Sequence, residues 1–257
     1  MPEIGPKIGP QIGRRSLLAG IAALGAGACT KISESEAGQN LIETAESWHR
    51  TAHRTLASRQ ALAPEYSASE RSPTFKGNGS VSVDDGFYQQ QLASGFPDWK
   101  LEVRGLVERP LTLTMADIRA LPQRVQTTRH DCVEGWSAIG EWTGPQLGAL
   151  LDAAKVKKDA NFILFRCADT LYGRVYYESI DMVDAYHPQT IIAHALNGEP
   201  IPEKNGAPLR MRIERQLGYK QAKYLTAIEA VASLEGIGDG NGGFWEDVAG
   251  YQWYAGM

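Results

Sequence analysis

Cysteine is scarce in this chain, with three thiols, Cys29, Cys132 and Cys167, among 257 residues. So few exclude a disulfide-stapled scaffold, a cysteine-ligated iron–sulfur cluster or an all-thiolate zinc site. There is no Cys-x-x-Cys-His haem attachment and no strand–glycine-turn–helix unit for a dinucleotide. Positive charge is not in excess: 26 Lys+Arg stand against 30 Asp+Glu, a formal net charge of -4, which argues against nucleic acid as a partner. The most apolar stretch, near the N-terminus, is too short and too glycine-rich to span a bilayer comfortably. What remains, 43% hydrophobic and 22% charged, suits one globular domain with a substantial core.

The N-terminal segment, residues 1–29, reads as a twin-arginine export signal, because Arg14-Arg15 precedes Ser16-Leu17-Leu18 and an Ala/Gly-rich apolar run through Ala28. It ends at a signal-peptidase site or at a lipobox in which Cys29 is acylated, although Ala26 stands where such a box usually has an aliphatic residue. The expected location is the periplasm, reached through the twin-arginine translocase, with a membrane tether if Cys29 is lipidated. That route carries folded proteins, which suggests a cofactor inserted before export.

Residues 30–80 read as a helical extension and linker. A helix is expected over 39–60, with Leu41, Ala45, Trp48, Ala52 and Leu56 on one face. His49 and His53 share a face, but Arg50 stands where a zinc protease needs glutamate, so a polar helix face is the plainer reading. Residues 63–80, with Pro64, Pro73, Gly77 and Gly79, read as a linker laid on the domain or bridging to it.

Residues 81–257 carry the catalytic domain. Strands are expected over 101–107, 124–131, 161–166, 174–177, 190–196, 209–213 and 222–232. Helices are expected after a capping box at Thr114 and after another at Thr143-Gly144-Pro145-Gln146. Asn197-Gly198 is a hairpin turn. Strands and short helices mix without regular βαβ alternation, so the fold class is α+β.

Two stretches carry chemistry. In "TTRHDCVEGW", Cys132 sits where a strand meets a loop; it is either a buried small hydrophobe or a metal ligand or nucleophile favoured by Arg129 and His130. In "NGAPLRMRIERQLGYKQAKY", Asn205, Arg210, Lys220 and Lys223 gather around glycines, a composition that suits a phosphate or another compact anion or else a solvated basic surface.

"CVEGW", "ALNGEPIP", "NGAPLR" and "GYKQAKY", in this order and spacing, resemble the molybdopterin-dependent oxidoreductases of the sulfite oxidase fold over roughly residues 87–253. The similarity is greatest to the exported bacterial branch that includes periplasmic methionine sulfoxide reductase. It implies a molybdenum-molybdopterin cofactor without a dinucleotide, with Cys132 as the single protein thiolate on the metal. It also implies a cofactor grip by Asp85, Tyr88, Gln89, Cys167, Asn205, Arg210, Gln221, Ala222 and Lys223, the last three at the terminal phosphate. Asp85 and Gln89 replace the asparagine and glutamate of the reductase pattern, which bears on the substrate. With Cys132 and Cys167 in one pocket, no disulfide between them is expected.

The implied reaction is oxygen-atom transfer to or from a small molecule such as sulfite or a sulfoxide, with electrons exchanged with a separate cytochrome or membrane haem subunit. Glu134 is the expected acid or hydrogen-bond acceptor, on the face of Cys132 if the segment is extended. Arg129, His130 and Arg174 are expected to form a cationic mouth for an oxyanion. Trp136, Trp142, Phe244, Trp245 and Trp253 read as core or pocket wall. Two rivals remain: a thiol hydrolase with Cys132 as nucleophile and His130 or His194 as base, and a cofactor-free exported binding protein.

Overall fold

The computed structural model describes Ser35, Gly38, Thr44, Ala45, Trp48, Thr51, Ala52, Arg54, Thr55 and residues 60–257. The chain divides into two units, Met1–Ala57 and Ser58–Met257. In the first, Gly38, Thr44, Ala45, Trp48, Thr51, Ala52, Arg54 and Thr55 are helical. The twin-arginine segment, Cys29, His49 and His53 lie outside the described residues.

The second unit is built on strands. Lys100–Gly105 (β1), Leu111–Thr114 (β2), Phe162–Leu171 (β5), Arg174–Asp181 (β6) and Leu225–Val231 (β11) form a five-stranded sheet in the order β2-β1-β11-β5-β6. β1 and β11 run parallel, and the other neighbours are antiparallel. The central strands β5 and β11 bury Ile163, Phe165, Leu225, Ile228 and Ala230, as strands covered on both faces require. Gln123–Cys132 (β3) and Trp136–Pro145 (β4) form a long hairpin, extended through Ala195–Leu196 (β8) to Glu199–Pro200 (β9). Ile191–Ala193 (β7) pairs with Arg210–Arg212 (β10). Short helices cover these mixed sheets, as the α+β reading expects. Among the described residues no helix is long and apolar enough to cross a membrane.

Local chemistry explains the element ends. The capping box at Thr114 forms: Asp117 N–H donates to Thr114 Oγ1 at 3.2 Å, and Thr114 N–H to Asp117 Oδ2 at 2.9 Å. The second expected box does not form. Thr143 stays in β4, paired with Val125 on one side and Ala195 on the other, so its backbone is claimed by the sheet. The helix instead spans Leu147–Ala154, and the Gln146 amide donates to Pro188 O at 2.7 Å. Its expected apolar face, Leu147, Leu150 and Leu151, is buried. β4 can lie against β7 because Gly144 has no side chain; a Cβ there would sit 2.1 Å from Ile192 O.

The proline- and glycine-punctuated stretch after residue 60 is held to the β3–β4 hairpin. Tyr66 N–H donates to Thr127 O and Ser72 N–H to Ile139 O, each at 2.9 Å. Phe75 is buried against His130, Trp136 and Trp142.

Lys220 is fully buried and donates to Glu178 and Glu246 at 2.5 and 2.6 Å. Desolvation pushes the Glu178 carboxyl well up, and Lys220 opposes that shift. Replacing the lysine by methionine leaves two carboxylates buried without a cation, so Lys220→Met is expected to lose about 3–5 kcal/mol of stability, read from the urea midpoint.

Candidate active site

β3 ends at Cys132, which faces Trp136 across the hairpin. Three residues turn the chain: Gly135 adopts φ +84°, and its N–H donates to Cys132 O at 3.0 Å. That positive φ is why a glycine stands there. Alternation along β3 sends Arg129 and Asp131 to one face and His130 and Cys132 to the other.

Cys132 lies on the wall of a cavity that also reaches Lys223. Glu134, Asn78, Gly79, Ser80, Asp169, Gly218 and Gln221 line it too, together with Val133, Tyr176, Tyr219, Trp245 and Tyr251. Burial pushes the Cys132 thiol up, partly offset by a backbone hydrogen bond within the turn. Lys223 is 6% exposed, and its Nζ donates to Asn78 O at 2.5 Å and to Ser80 O. Desolvation, then the neighbouring Arg210, pull it down to about 7, with Asp169 acting the other way. Its stem passes Gly206, where φ is +104° and a Cβ would sit 2.8 Å from Lys223 Cβ.

Behind the cavity two guanidiniums lie over the Trp142 ring, Arg210 at 5.0 Å and Arg212 at 4.6 Å. Arg212 pairs with the equally buried Glu214 at 2.6 Å. Arg210 has backbone oxygens only, Asn205 O at 2.9 Å and Gln221 O at 3.4 Å. Burial and Arg212 pull Arg210 down to about 9.

Several expected site residues do not reach the cavity. Arg129 is turned outward and paired with Asp131 at 3.0 Å. Arg174 is paired with Asp239 at 2.8 Å in a separate depression. His130 is fully buried, and desolvation followed by Arg212 drives its imidazole well below the usual range. Arg212 Nη1 lies 2.9 Å from His130 Nδ1. An arginine only donates, so Nδ1 accepts and the ring proton sits on Nε2, against Gly218. His130 is therefore neutral and has no free lone pair. The expected cationic mouth is not formed, and neither Arg129 nor His130 occupies the catalytic position read from the sequence.

Glu134 does line the cavity, but the tight turn brings it there rather than an extended strand, and Trp136 Nε1 donates to its Oε2 at 2.9 Å. Asp85 caps the helix Gly86–Ser94 by accepting from Tyr88 N–H at 2.8 Å. The buried Tyr88 hydroxyl donates to Ala207 O at 2.9 Å. Asp85 and Tyr88 border a different, open depression with Phe87 and Trp99. The Gln89 amide is engaged by Val83 O and Glu203. Cys167 and Ala222 lie in the interior beside the cavity, and Asn205 ties down Lys76 O at 3.0 Å. Of the expected residues, Cys132, Glu134, Gln221 and Lys223 share the cavity wall. Both Cys132 and Cys167 are free thiols.

Sequence reasoning missed Asn78, Ser80 and Asp169. The period of two along β5 puts Asp169 on the face of Cys167, a signal that was available. Nothing in the polar stretch at residues 78–80 distinguished it from a linker.

The donor set fits a cofactor that brings its own metal. Among the described residues no three or more His, Cys, Asp or Glu cluster to hold an ion, so a metal at Cys132 needs its remaining ligands from elsewhere. The thiol opens on a cavity with cations at and behind its wall, as an organic ligand with an anionic tail requires. A hydrolase does not fit: the thiol is pushed up, His130 offers no lone pair, and His194 Nε2 is engaged by Gln123 Oε1 at 3.0 Å.

Known proteins agree with this geometry. The oxidoreductase molybdopterin binding domain family matches residues 89–235. A protein of Azospira oryzae, provisionally named as the protein-methionine-sulfoxide reductase subunit YedZ1, is 35% identical over 245 residues, 95% of this chain and 84% of that one. The protein-methionine-sulfoxide reductase catalytic subunit MsrP of Campylobacter jejuni is 33% identical over 152 residues, 54% of this chain and 51% of its own. This chain thus spans about half the length of that subunit. The sulfane dehydrogenase SoxCD from Paracoccus pantotrophus shares the fold, with a TM-score of 0.50 at 22% identity over 53% of this chain and 39% of that one. The chain therefore belongs to the molybdopterin-binding oxidoreductases of the sulfite oxidase fold, and its cofactor is molybdenum-molybdopterin.

Proposed function

We propose that this oxidoreductase reduces a sulfoxide of the methionine sulfoxide class to the thioether. Two electrons and two protons are taken up and one water is released per turnover. The observation that carries the choice of a neutral substrate is the cavity wall beside Cys132. Val133, Trp245 and Tyr251 are neutral, and the arginines that would draw in sulfite, Arg129 and Arg174, are paired with carboxylates elsewhere. The names of the relatives in Azospira oryzae and Campylobacter jejuni support the same substrate class.

In this reading Cys132 would hold the metal through its thiolate; without a metal, burial pushes the thiol up. Gln221, Ala222 and Lys223 hold the phosphate end, and Arg210 adds positive charge from behind. The bound cofactor supplies two-electron oxygen-atom exchange. Tyr219, Trp245 and Tyr251 orient the sulfoxide and exclude water. Glu134 keeps one oxygen clear of Trp136 Nε1, where a proton can be held for the departing oxygen. The chain carries no haem attachment, so the electrons come from a separate carrier, a cytochrome or a membrane haem subunit. The site of action is the periplasm, reached through the twin-arginine translocase.

Three measurements test this. With a reduced dye as donor, kcat/KM for methionine sulfoxide or dimethyl sulfoxide is expected to exceed that for sulfite, assayed with an oxidised dye, by about tenfold or more; faster sulfite oxidation overturns the direction. Cys132→Ala is expected to lower turnover by about a hundredfold or more and to lose molybdenum while keeping the circular dichroism of the fold. Lys223→Glu is expected to lower pterin per protein about tenfold by setting like charge at the phosphate.

A further inference from the structure

Electrons have to enter this chain from another protein, because its sequence has no haem attachment and too few cysteines for a cluster. Electron transfer slows steeply with distance, so the carrier must come close to a metal held at Cys132. Apolar surface is concentrated where the Cys132 cavity reaches the outside. Val133, in the cavity wall, is 45% exposed. Trp245, in the same wall, is met edge-on at 6.2 Å by the ring of Tyr172, which is 78% exposed. Tyr172 also stacks on Phe244 at 6.4 Å, and Phe244 shares a second depression with the exposed Val175 and Val248. The helix Phe244–Ala249 therefore joins the two hollows, with Trp245 on the cavity and Phe244 and Val248 on the depression. Tyr172 lies in the turn between β5 and β6 at φ +50°, a conformation that asparagine or glycine adopts at less cost. Neither burial nor local geometry accounts for an aromatic ring there.

Charge narrows the choice of occupant. From Tyr224 to Met257 the chain has Glu229, Glu235, Asp239, Glu246 and Asp247 but no lysine or arginine. Arg174, beside Val175, is paired with Asp239. Asp247, in the depression, accepts from the Tyr177 hydroxyl and from N–H groups of Asp239 and Asn241. Neither Asp247 nor Glu134, in the cavity wall, has an ion-pair partner among the described residues. The surface is apolar in its middle and carries an unpaired acid at either end. We propose that the patch of Tyr172, Val175 and Val248 is the docking surface for the electron carrier, a protein whose electron-carrying group has an apolar exposed edge ringed by basic side chains. This rests on the sulfoxide reductase reading of the site. Two reduced one-electron carriers dock and leave in turn for each sulfoxide. Their two electrons, with two protons, give one thioether and one water. A small patch suits a transient redox encounter, from which the spent carrier must depart, and the acids steer a basic partner toward it.

The test compares two reduced donors on the holoenzyme: a basic, low-potential c-type cytochrome, and methyl viologen, a dye small enough to need no docking surface. Tyr172→Asn suits the turn and removes the ring. It is expected to lower kcat/KM for the cytochrome about tenfold, the range of an aromatic anchor at an interface. With viologen as donor, its kcat/KM for sulfoxide is expected to stay within about twofold of wild type. Val175→Lys, on the exposed edge strand β6, sets like charge against the carrier. It is expected to lower cytochrome turnover by a similar factor, less so as salt is raised. Unchanged cytochrome kinetics in either variant overturns the proposal, and so does a wild-type enzyme that takes electrons from viologen but not from the cytochrome. If Tyr172→Asn instead raises KM for a methionine sulfoxide peptide under viologen and leaves the cytochrome kinetics alone, the patch serves the substrate and the proposal is wrong. A wild-type holoenzyme that reduces no sulfoxide under viologen overturns the functional reading beneath it.

Discussion

A cation removed from water must be given oxygens, and how that need is met between residues 210 and 223 governs the rest of this site. Four cationic side chains there are buried, and they are matched in two different ways. Arg212 and Lys220 face carboxylates, Glu214 for the first and Glu178 with Glu246 for the second, so their charge is spent inside the protein. Arg210 and Lys223 face backbone carbonyls only, which satisfy their N–H groups without cancelling their charge. Both groups are pulled toward deprotonation, by desolvation first and by a neighbouring arginine second, with Asp169 opposing the shift at Lys223. A bound anion relieves that strain, which links the fold's internal electrostatics to the phosphate of the cofactor.

The thiol is placed by a different constraint. Hairpin pairing of β3 with β4 fixes which face of β3 looks inward, and that face carries His130 and Cys132 while Arg129 and Asp131 look out. The polar surroundings of the cysteine in sequence thus separate in space. The arginine becomes a surface ion-pair partner, and the histidine a neutral strut between Arg212 and Gly218. The cysteine remains on a wall that it shares with Tyr176, Tyr219, Trp245 and Tyr251, an environment suited to a metal that arrives with its own sulfurs.

Much of the fold was legible because it rests on short-range rules. Alternation along β3 and β5, the reciprocal hydrogen bonds at Thr114 and Asp117, and the Asn197-Gly198 turn are set by neighbours a few residues apart. The Thr143 box failed because a local capping signal competed with sheet pairing on both edges of β4, and the ladder prevailed. Of the site, Cys132, Glu134, Gln221 and Lys223 were legible as chemistry. Asp169, Asn78 and Ser80 were not read: Ser80 meets Asp169 across 89 positions and Asn78 meets Lys223 across 145.

By itself the sequence left Cys132 open between core residue, metal ligand and nucleophile, and the resemblance of its four motifs to the molybdopterin-dependent oxidoreductases is what implied a cofactor that carries its own metal. Only the tertiary structure decided which charges the cavity sees. Arg129, His130 and Arg174 look alike in sequence as anion-binding candidates, yet each has its charge removed by a different partner or by burial. Electrostatic character depends on distances across the folded core, where desolvation and pairing compete, and no spacing along the chain encodes that outcome.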